Sequence, residues 1–543
     1  MRIVMVNWAG IAEGASTGGG VNGYCRQLAL GLAARGHSVA WISSGQTYTS
    51  SAARGDLQPC EARRRDDHAG VQVYEIINSP VLAPGIFQFP DPTSEISSPD
   101  LEAEFSRLLR LLQPQIVHFH NIEGFSAGCI HAARSSGTKV LYSLHNYHSV
   151  CPQVYLMKHG HAPCTDFDNG HACEGCVTGW ETRGTPRERR RRAGLPEVPP
   201  PPPDALWPRL APKLLRVLHL PPVVRIHDQP APWRPVREVR DCEPDTLPSA
   251  SAPPPSIATP DQHTTPLSND PVGEPPSHRP LNAYGARRRD MIAALSSCDR
   301  VLAVSEFVRK KFIALGVSDR AITTLQIGSR MSELAAEQPV FRAPPPPLSG
   351  RPVRLAFIGY NNRFKGLPML LDTLELLPES VVINFHLSIW AKDIEQDQRR
   401  VYALSPRLGG LSVAGGYRYE DLPAMLCGQD AGIVPSIWWD NGPQTVMEFM
   451  ACGLPVIGAR AGGIPELIRD GEDGLLFAAN DRTDLARVLT FIADQPTLLT
   501  RLRANVRSPK SMAAHVEEIT TLYAGLLEVN QTPRPKSSSR RTH

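Results

Sequence analysis

The chain has 543 residues and a formal net charge of +3, the difference between 57 basic and 54 acidic side chains. This length suits two or three domains with substantial cores. So small a net charge excludes a polyanion binder that relies on bulk charge, and we expect no nucleic-acid partner. No apolar run approaches the roughly 18 residues of a membrane-spanning helix, and the apolar stretch at 3–6 is too short for a secretory signal. The 11 cysteines are too few for a disulfide scaffold. We therefore expect a cytoplasmic protein.

Strands and helices alternate along the N-terminal part of the chain. Residues 3–6 predict an apolar strand, a glycine-rich turn follows, and the helical spacing of leucines predicts a helix over 21–35. Further strands are predicted at 39–43, 116–119 and 140–144. This alternation is typical of parallel sheets that carry helices on both faces.

A proline-rich segment interrupts the pattern. Residues 196–280 hold 24 of the 52 prolines, and such density removes the N–H donors that helices and sheets need. We predict a mostly disordered linker over 181–283. Within it, apolar and basic residues interleave at 206–218. That stretch is either solvated linker or a basic amphipathic segment that touches acidic lipid headgroups, which would make the protein peripheral at the inner face of the cell membrane.

The alternation resumes after the linker, and again after a second proline run at 344–347. A helix is predicted at 288–296 and a strand at 301–304, and Ser305 is a suitable N-cap for the helix that follows. Later elements are predicted at 353–358, 367–377, 381–387, 422–427, 431–434, 445–451, 455–459 and 464–468. The pattern predicts an α/β protein with two Rossmann-like domains that face each other across a cleft, with ligands at the carboxyl ends of the strands.

The domain boundaries follow from these breaks. An N-terminal domain is predicted to take residues 1–180 and 284–345, and a C-terminal domain 350–507. A last helix at 508–530 is expected to pack back onto the N-terminal domain, and 531–543 is expected to be a disordered tail.

The loop after the first strand of each domain carries candidate anion-binding residues. Gly18, Gly19 and Gly20 lie between a strand and a helix, where the backbone can approach an anion and helix N–H groups face it. Arg363 and Lys365 lie in the corresponding loop of the second domain, where cations can neutralise a departing diphosphate. The alternatives are a flexible turn and ordinary surface charges.

Two acidic residues flank the start of a predicted helix. Asp440 and Glu448 are separated by seven residues, and Pro443 fits the first helical position. A carboxylate accepts paired hydrogen bonds from vicinal hydroxyls, and the N–H groups and dipole at a helix start favour a phosphate. The pattern favours a nucleotide-sugar site, with a capped helix and one solvated glutamate as the alternative. The candidate substrate-binding residues at this helix start are Asn441, Gly442, Pro443, Gln444 and Thr445.

The segments 448–457, 462–467 and 474–476 resemble glycosyltransferase family 4, part of the glycogen-synthase-like superfamily. The acid-x7-acid pattern, the Lys365-Gly366 pair, the glycine loop and His145 in a Leu-His-Asn context are also similar. The resemblance covers about 1–180 and 284–525. It implies retaining enzymes of the GT-B fold, with two Rossmann-like domains, the N-terminal one on the acceptor side and the C-terminal one binding the donor, and with no cofactor required for catalysis.

The resemblance also implies a role for each matching residue. Glu448 would hold the ribose hydroxyls and Asp440 the transferred sugar. Lys365 and the backbone near Gly19 would contact the diphosphate, and His145 would lie near the anomeric carbon and the acceptor.

Two positions depart from the family pattern. The first acid of the pair is usually glutamate, whereas here it is Asp440. The family usually has arginine directly after the glycine that matches Gly359, whereas here Tyr360 stands there and Arg363 supplies a cation to the same loop.

A separate cluster of cysteines follows His145. Cys151, Cys164, Cys173 and Cys176 have gaps of 12, 8 and 2 residues between them. Four thiolates with one CxxC pair can make a tetrahedral structural zinc site. Buried thiols or a redox pair are the alternatives.

These observations predict a retaining glycosyltransferase. We expect it to move a hexosyl-type sugar from a nucleotide-diphosphate sugar to a glycan, lipid-linked or small-molecule acceptor, in polysaccharide, glycolipid or cell-envelope glycan synthesis. Two alternatives stay open: a GT-B-fold sugar-nucleotide epimerase, and a catalytically decayed sugar-nucleotide-binding subunit.

Overall fold

A computed structural model gives the fold. It describes residues 1–528 apart from 17–18, 50–57, 86–87, 90, 161, 177–222, 226–268, 270–273, 276, 338–349, 361–362, 393 and 395–396. The chain divides into two compact units: the first holds 1–230, 270–330 and the C-terminal segment from 510, and the second holds 231–269 and 331–509. No helix in this described part combines the length and the apolar character needed to cross a bilayer.

The first unit is built on an eight-stranded sheet with the order β12-β11-β7-β6-β1-β2-β5-β4. All neighbouring strands are parallel except β4 and β5, which are antiparallel. The strands of this sheet are β1 (Arg2–Val6), β2 (Ser38–Ser44), β4 (Glu61–His68), β5 (Val71–Ile77), β6 (Ile116–Phe119), β7 (Lys139–Leu144), β11 (Arg300–Ala303) and β12 (Ile322–Thr324). Short two-stranded pairs join β3 (Thr47–Thr49) with β10 (Val223–Arg225), and β8 (Met157–Lys158) with β9 (Ala162–Pro163).

Helices of the first unit follow ordinary N-terminal signals. The helix α2 begins with Pro99 and carries Asp100 and Glu102 in its first turn. Acidic side chains there stabilise the helix by interacting with the positive end of its dipole. The Ser305 side chain caps α6 by accepting a hydrogen bond from the Val308 N–H, as the sequence predicts. The helices are α1 (Gly19–Ala34), α2 (Pro99–Leu112), α3 (Ala127–Ser135), α4 (His171–Glu174), α5 (Ala283–Ser297) and α6 (Glu306–Ala314), with 3-10 turns at Ile11–Ser16 and Asp168–Gly170.

The last helix of the chain, α16 (Met512–Glu528), packs on the first unit. Its His515 Nε2 lies 2.7 Å from the Tyr24 hydroxyl, and its Tyr523 hydroxyl lies 2.6 Å from His118 Nδ1. Gly31 on α1 permits this approach, because a Cβ there would stand 2.7 Å from a Val516 methyl carbon.

A buried ion pair fastens α5 to the first unit. The Arg287 guanidinium donates to the Glu95 carboxylate and to the His148 carbonyl oxygen at 2.7 Å, and all three residues are buried. Arg287 and His148 hold the pKa of Glu95 down at about 2, against the burial that would raise it. Removing one partner of such a pair leaves an uncompensated buried charge, at a cost of about 3–5 kcal/mol.

The second unit is built on a six-stranded parallel sheet with the order β15-β14-β13-β16-β17-β18. Its strands are β13 (Val353–Tyr360), β14 (Phe385–Lys392), β15 (Gly410–Ala414), β16 (Ala431–Val434), β17 (Val456–Ala459) and β18 (Gly474–Phe477). Its helices are α7 (Met331–Glu337), α8 (Leu367–Leu376), α9 (Glu379–Val382), α10 (Gln398–Leu404), α11 (Leu422–Leu426), α12 (Gln444–Ala451), α13 (Ile464–Leu467), α14 (Arg482–Asp494) and α15 (Thr497–Ala504), with 3-10 turns at Arg363–Lys365, Ser405–Arg407 and Tyr419–Asp421. Every residue of the inner strands β16 and β17 and of the edge strand β18 is buried, as expected for a parallel sheet covered on both faces.

The structure departs from the predicted bounds of some elements. The strand predicted at 381–387 is wrong in part, because α9 occupies its start and the strand begins at Phe385. The helix predicted at 288–296 begins earlier, at Ala283, since the Asn282 side chain caps it by accepting from the Gly285 N–H. Most of the linker predicted at 181–283 lies outside the described residues, and within it the strand β10 pairs with β3. The basic stretch at 206–218 and the tail at 531–543 lie outside the described residues.

Candidate active site

Sheet topology marks one place in each unit for a ligand. In the second unit the chain runs outward from β13 through β14 to β15, then returns to β16 on the other side of β13. In the first unit the same reversal falls between β1 and β6. Ligands of open parallel sheets bind outside the carboxyl ends of the strands at such a reversal. The loops after β13 and β16, and those after β1 and β6, therefore lie at the ligand-binding edges of the two sheets.

Lys365 and Asp440 meet at the reversal of the second unit. Lys365 lies in the 3-10 turn after β13, and Asp440 lies in the loop after β16. Their Nζ and Oδ2 atoms are 2.8 Å apart, and 27% of the Lys365 side chain is exposed against 6% for Asp440. The lysine ammonium also lies 5.5 Å from the centre of the Trp438 ring. The loop thus places a partly accessible cation over a buried carboxylate.

Gly366 fixes the position of the lysine. Its φ is +82°, and a Cβ at this position would stand 1.6 Å from the Pro435 carbonyl oxygen. The Ile437 N–H donates to the Phe364 carbonyl oxygen at 3.0 Å, which ties the loop after β13 to the loop after β16. Only glycine allows so close an approach at a left-handed φ, and this explains why Lys365 and Gly366 occur as a pair.

A third loop closes around Asp440. The Gly463 N–H, in the turn after β17, donates to the Asp440 carbonyl oxygen at 2.7 Å. Gly462 has a φ of +58°, and a Cβ there would stand 2.2 Å from the same oxygen. The glycine turn before the Ile464-Pro465-Glu466 segment therefore supports the backbone of Asp440.

Glu448 is buried on α12, one residue past the middle of that short helix. Burial raises the pKa of its carboxyl to about 7, and the Lys365 ammonium opposes the rise. Glu448 in turn contributes to raising the pKa of Tyr417, although burial is the larger cause. Lys365, Asp440 and Glu448 thus form one electrostatically coupled group, which we call the second-unit site.

The start of α12 belongs to the same neighbourhood. The helix runs over Gln444–Ala451, so Pro443 is the residue before its first turn rather than the first helical residue, which corrects the sequence prediction by one position. Asn441 is buried, and Gln444 and Thr445 are half-buried. Arg363 is exposed, and partial burial of its guanidinium lowers its pKa.

Tyr417 is a member of this neighbourhood that the sequence analysis did not single out. It follows β15, an edge strand whose residues are all only half-buried. Such a strand lacks the apolar run or strict alternation that predicts strands from sequence. The order of the strands, which brings the end of β15 to the same edge as β13, is the missing information.

In the first unit, His145 directly follows β7 and contacts a histidine from the neighbouring strand end. His145 Nε2 lies 3.3 Å from His120 Nδ1, and the ring of Tyr24 lies 4.8 Å from that of His145. His145 is 9% exposed, and burial lowers its pKa to about 3. His145 is therefore a neutral imidazole throughout the physiological range.

The glycine loop lies after β1. Gly18 falls outside the described residues; Gly19, with a φ of +61°, begins α1, and Gly20 follows it. The Asn22 side chain accepts from Asn7 at 2.8 Å and donates to the Gly10 carbonyl oxygen at 3.2 Å. These bonds fasten the start of α1 to the end of β1.

Four buried imidazoles of the first unit form what we call the histidine cluster: His118, His120, His145 and His515. Burial lowers the pKa of each, and for all but His515 a neighbouring histidine lowers it further. In an unfolded chain these groups would titrate near 6.5. Between pH 6.5 and their folded pKa values, the unfolded state binds more protons than the folded state.

We expect the free energy of unfolding to fall as the pH drops from 6.5 to 5, by about 1.4 kcal/mol per pH unit for each histidine that remains neutral in the fold. Denaturant midpoints at pH 7.5, 6.5, 5.5 and 5.0 measure this slope. His515→Gln should reduce it, whereas His131→Gln, at an exposed position, should not. A wild-type unfolding free energy that stays flat across this window would contradict the expectation.

The four cysteines predicted as a zinc site lie in one part of the first unit. Cys151, Cys164 and Cys173 are buried and Cys176 is half-buried, and burial raises the pKa of every one of these thiols. The Cys176 sulfur accepts a hydrogen bond from the His159 N–H at 3.1 Å. Among the described residues, a different set brings its potential metal-ligating atoms within 4.8 Å of one another. This set consists of Cys25, His120 and His145.

Each of the two units matches a family model of glycosyltransferases. A family model described as Glycosyltransferase Family 4 matches residues 18–163, and one described as Glycosyl transferases group 1 matches residues 352–495. The two matches together span just over half of the chain, one in each unit.

Individual relatives agree with these matches. The D-inositol 3-phosphate glycosyltransferase of Thermomonospora curvata is 39% identical over 107 residues, which are 19% of this chain and 25% of that protein. The putative colanic acid biosynthesis glycosyltransferase WcaL of Salmonella typhimurium is 24% identical over 234 residues, 41% of this chain and 56% of that protein. The chain thus spans between a quarter and somewhat over half of the length of these relatives.

The fold has counterparts among solved structures. The sucrose-phosphate synthase of Thermosynechococcus elongatus superposes with a TM-score of 0.53 at 14% identity, over 97% of this chain and 99% of that one. With two parallel Rossmann-like sheets in place, the prediction of an α/β protein of the GT-B fold is confirmed.

Proposed function

We propose that this chain, which belongs to glycosyltransferase family 4, moves a hexosyl-type sugar from a nucleoside-diphosphate sugar to an acceptor hydroxyl. The observation that carries the proposal is the second-unit site. A lysine from the loop after β13 meets a buried aspartate and a buried glutamate from the loop and helix after β16, at the strand reversal. A cation for a diphosphate and carboxylates for hydroxylated rings are what such a donor requires.

The charges suggest how the donor binds. In the absence of donor, Lys365 is paired with Asp440 at 2.8 Å. A diphosphate carries more negative charge than one carboxylate, so it can draw the lysine toward itself and leave Asp440 to accept a sugar hydroxyl. Glu448 accepts from the ribose hydroxyls in its ionised form. The half-buried start of α12 adds N–H groups and a positive dipole for the phosphates.

Transfer then follows from charge stabilisation. The bond between the anomeric carbon and the diphosphate oxygen breaks, and negative charge builds on the leaving group, where Lys365 stabilises it. The acceptor oxygen bonds to the anomeric carbon on the same face, and its proton passes to an oxygen of the diphosphate. Configuration is therefore retained. We assign the acceptor side to the first unit, where neutral His145 can exchange hydrogen bonds with hydroxyls without competing for the diphosphate.

The relatives guide the choice of acceptor class. WcaL is named for colanic acid biosynthesis, and the relative from Thermomonospora for D-inositol 3-phosphate. We propose glycan or glycolipid synthesis as the setting and include a phosphorylated cyclitol among the test acceptors.

The test incubates the purified chain with UDP-, GDP- and ADP-sugars, with and without a panel of glycan, lipid-linked and small-molecule acceptors. We expect release of one nucleoside diphosphate that depends on acceptor, and a product whose anomeric configuration, read by NMR, matches the donor. Epimerised donor in the absence of acceptor would identify an epimerase instead. Tight donor binding with no turnover on any acceptor would identify a binding subunit. Either outcome would overturn the proposal.

A further inference from the structure

Three potential metal ligands from three different segments meet inside the first unit. Cys25 lies on α1, His120 follows β6, and His145 follows β7. One ligand atom from each residue lies within 4.8 Å of the other two. All three are buried, with exposures of 0%, 1% and 9%. Neither the family resemblance nor the cysteine pattern in the sequence points to this combination.

The spacing suits a small tetrahedral ion. His120 Nδ1 and His145 Nε2 are 3.3 Å apart. Two imidazole nitrogens that each bind zinc at about 2.0–2.1 Å in a tetrahedral site are separated by about 3.3 Å. The side chains would need little movement to accept an ion, and the fourth position would remain for water or an exogenous ligand.

A second observation concerns His120. Its Nε2 atom is buried, and within the described residues it has no hydrogen-bond partner. A buried polar atom without a partner costs about 1–3 kcal/mol; because Nε2 points away from Nδ1, an ion held at Nδ1 does not satisfy it, and the site rests on the three converging ligand atoms. Nδ1 of the same ring faces His145, and the ring centres of His118 and Tyr24 lie 4.0 Å and 6.0 Å from that of His120.

The protonation states are compatible with metal binding. Burial keeps the imidazoles of His120 and His145 neutral, so each has a lone pair for a cation. Burial raises the pKa of the Cys25 thiol, so a metal that binds there must displace its proton. One thiolate and two imidazoles favour zinc and similar ions over magnesium or calcium.

We propose that Cys25, His120 and His145 bind one Zn²⁺-like divalent cation. Resting on the proposed function, we add that this binding inhibits transfer, because it removes His145 from contact with the acceptor. The site is distinct in residues from the four-cysteine cluster, so the two can be separated by substitution.

Metal-free protein should be titrated with Co²⁺ as a spectroscopic substitute for zinc, and with Zn²⁺ against a competing chelator. We expect thiolate-to-cobalt charge-transfer absorption and one equivalent of tight binding that is lost in Cys25→Ser, whose affinity should fall about 100-fold or more. Two controls should retain that equivalent: Cys129→Ser, at a buried cysteine on α3, and Cys173→Ser, in the four-cysteine cluster. Should Cys25→Ser not fold, His120→Gln takes its place.

Binding at wild-type stoichiometry in both Cys25→Ser and His120→Gln, or no tight binding in the wild type, would overturn the site. The inhibition is read separately. Zn²⁺ should suppress transfer by the wild type, whereas whatever transfer Cys25→Ser retains should be insensitive to Zn²⁺. If the wild type transfers no sugar under any condition, the proposed function fails while the cobalt titration still decides the metal site.

Discussion

Replacing Lys365 by alanine is expected to lower the rate of sugar transfer by about 100-fold or more, the loss that follows removal of one preorganised donor to a developing anion. Lys365 is the cation that pairs with the buried Asp440 carboxylate, at 2.8 Å, whereas Arg363 of the same loop is exposed. Nucleoside-diphosphate affinity, measured by calorimetry, should fall together with the rate. Lys310→Ala, at an exposed position on α6, should leave both unchanged.

Lys365→Ala also leaves the buried carboxylate of Asp440 without its counter-ion, so loss of stability must be separated from loss of chemistry. Asp440→Asn and the double variant complete a double-mutant cycle. In thermal unfolding, the double variant should recover part of the stability that Lys365→Ala loses, while transfer remains suppressed. Near-wild-type transfer by Lys365→Ala would contradict the role assigned to the lysine.

Replacing Glu448 by glutamine should be nearly as damaging as the lysine change. The two side chains have almost the same shape, so the buried helix should be retained, but the amide cannot accept hydrogen bonds through both of its terminal atoms. We expect the loss chiefly as a raised donor KM. Glu466→Gln, in the neighbouring α13 and exposed, makes the same chemical change away from the buried carboxylate and should bind donor normally.

The raised pKa of Glu448 gives this prediction a pH signature. With a pKa of about 7 in the donor-free chain, the carboxylate form is mostly absent below that pH and mostly present above it. Because the ionised form is the one that accepts from both ribose hydroxyls, donor affinity should rise as the pH increases from 6 to 8. That rise should be absent in Glu448→Gln. If donor affinity rose equally with pH in the wild type and in Glu448→Gln, the titrating group would be a residue other than Glu448.

The parts of the fold that the sequence predicts well are those where one interaction decides the local structure. The buried strands β6 and β16 lie where short segments rich in apolar residues predict them. Ser305 caps its helix because its hydroxyl oxygen can accept a hydrogen bond from a free backbone N–H of the first helical turn. The helix α9 was missed because Val381 and Val382 favour a strand locally, while the turn after Pro378 directs them into a helix.

The sequence predicts which residues form the second-unit site, but not that Lys365 and Asp440 contact each other. The sequence places Lys365 and Asp440 in different loops, and only the parallel register of β13 with β16 brings those loops to one edge. The same holds for His120, which the sequence analysis passed over. Its importance depends on β6 and β7 being neighbours in the sheet, and on α1 placing Cys25 beside both.

The most direct test of the second-unit site is a crystal structure of the chain with the nucleoside diphosphate that it binds best. We predict that Lys365 Nζ and the N–H groups at the start of α12 contact the diphosphate. The Glu448 carboxylate should lie within hydrogen-bond distance of both ribose hydroxyls. A nucleotide bound away from β13 and β16, with Lys365 still paired to Asp440 and Glu448 untouched, would contradict the account.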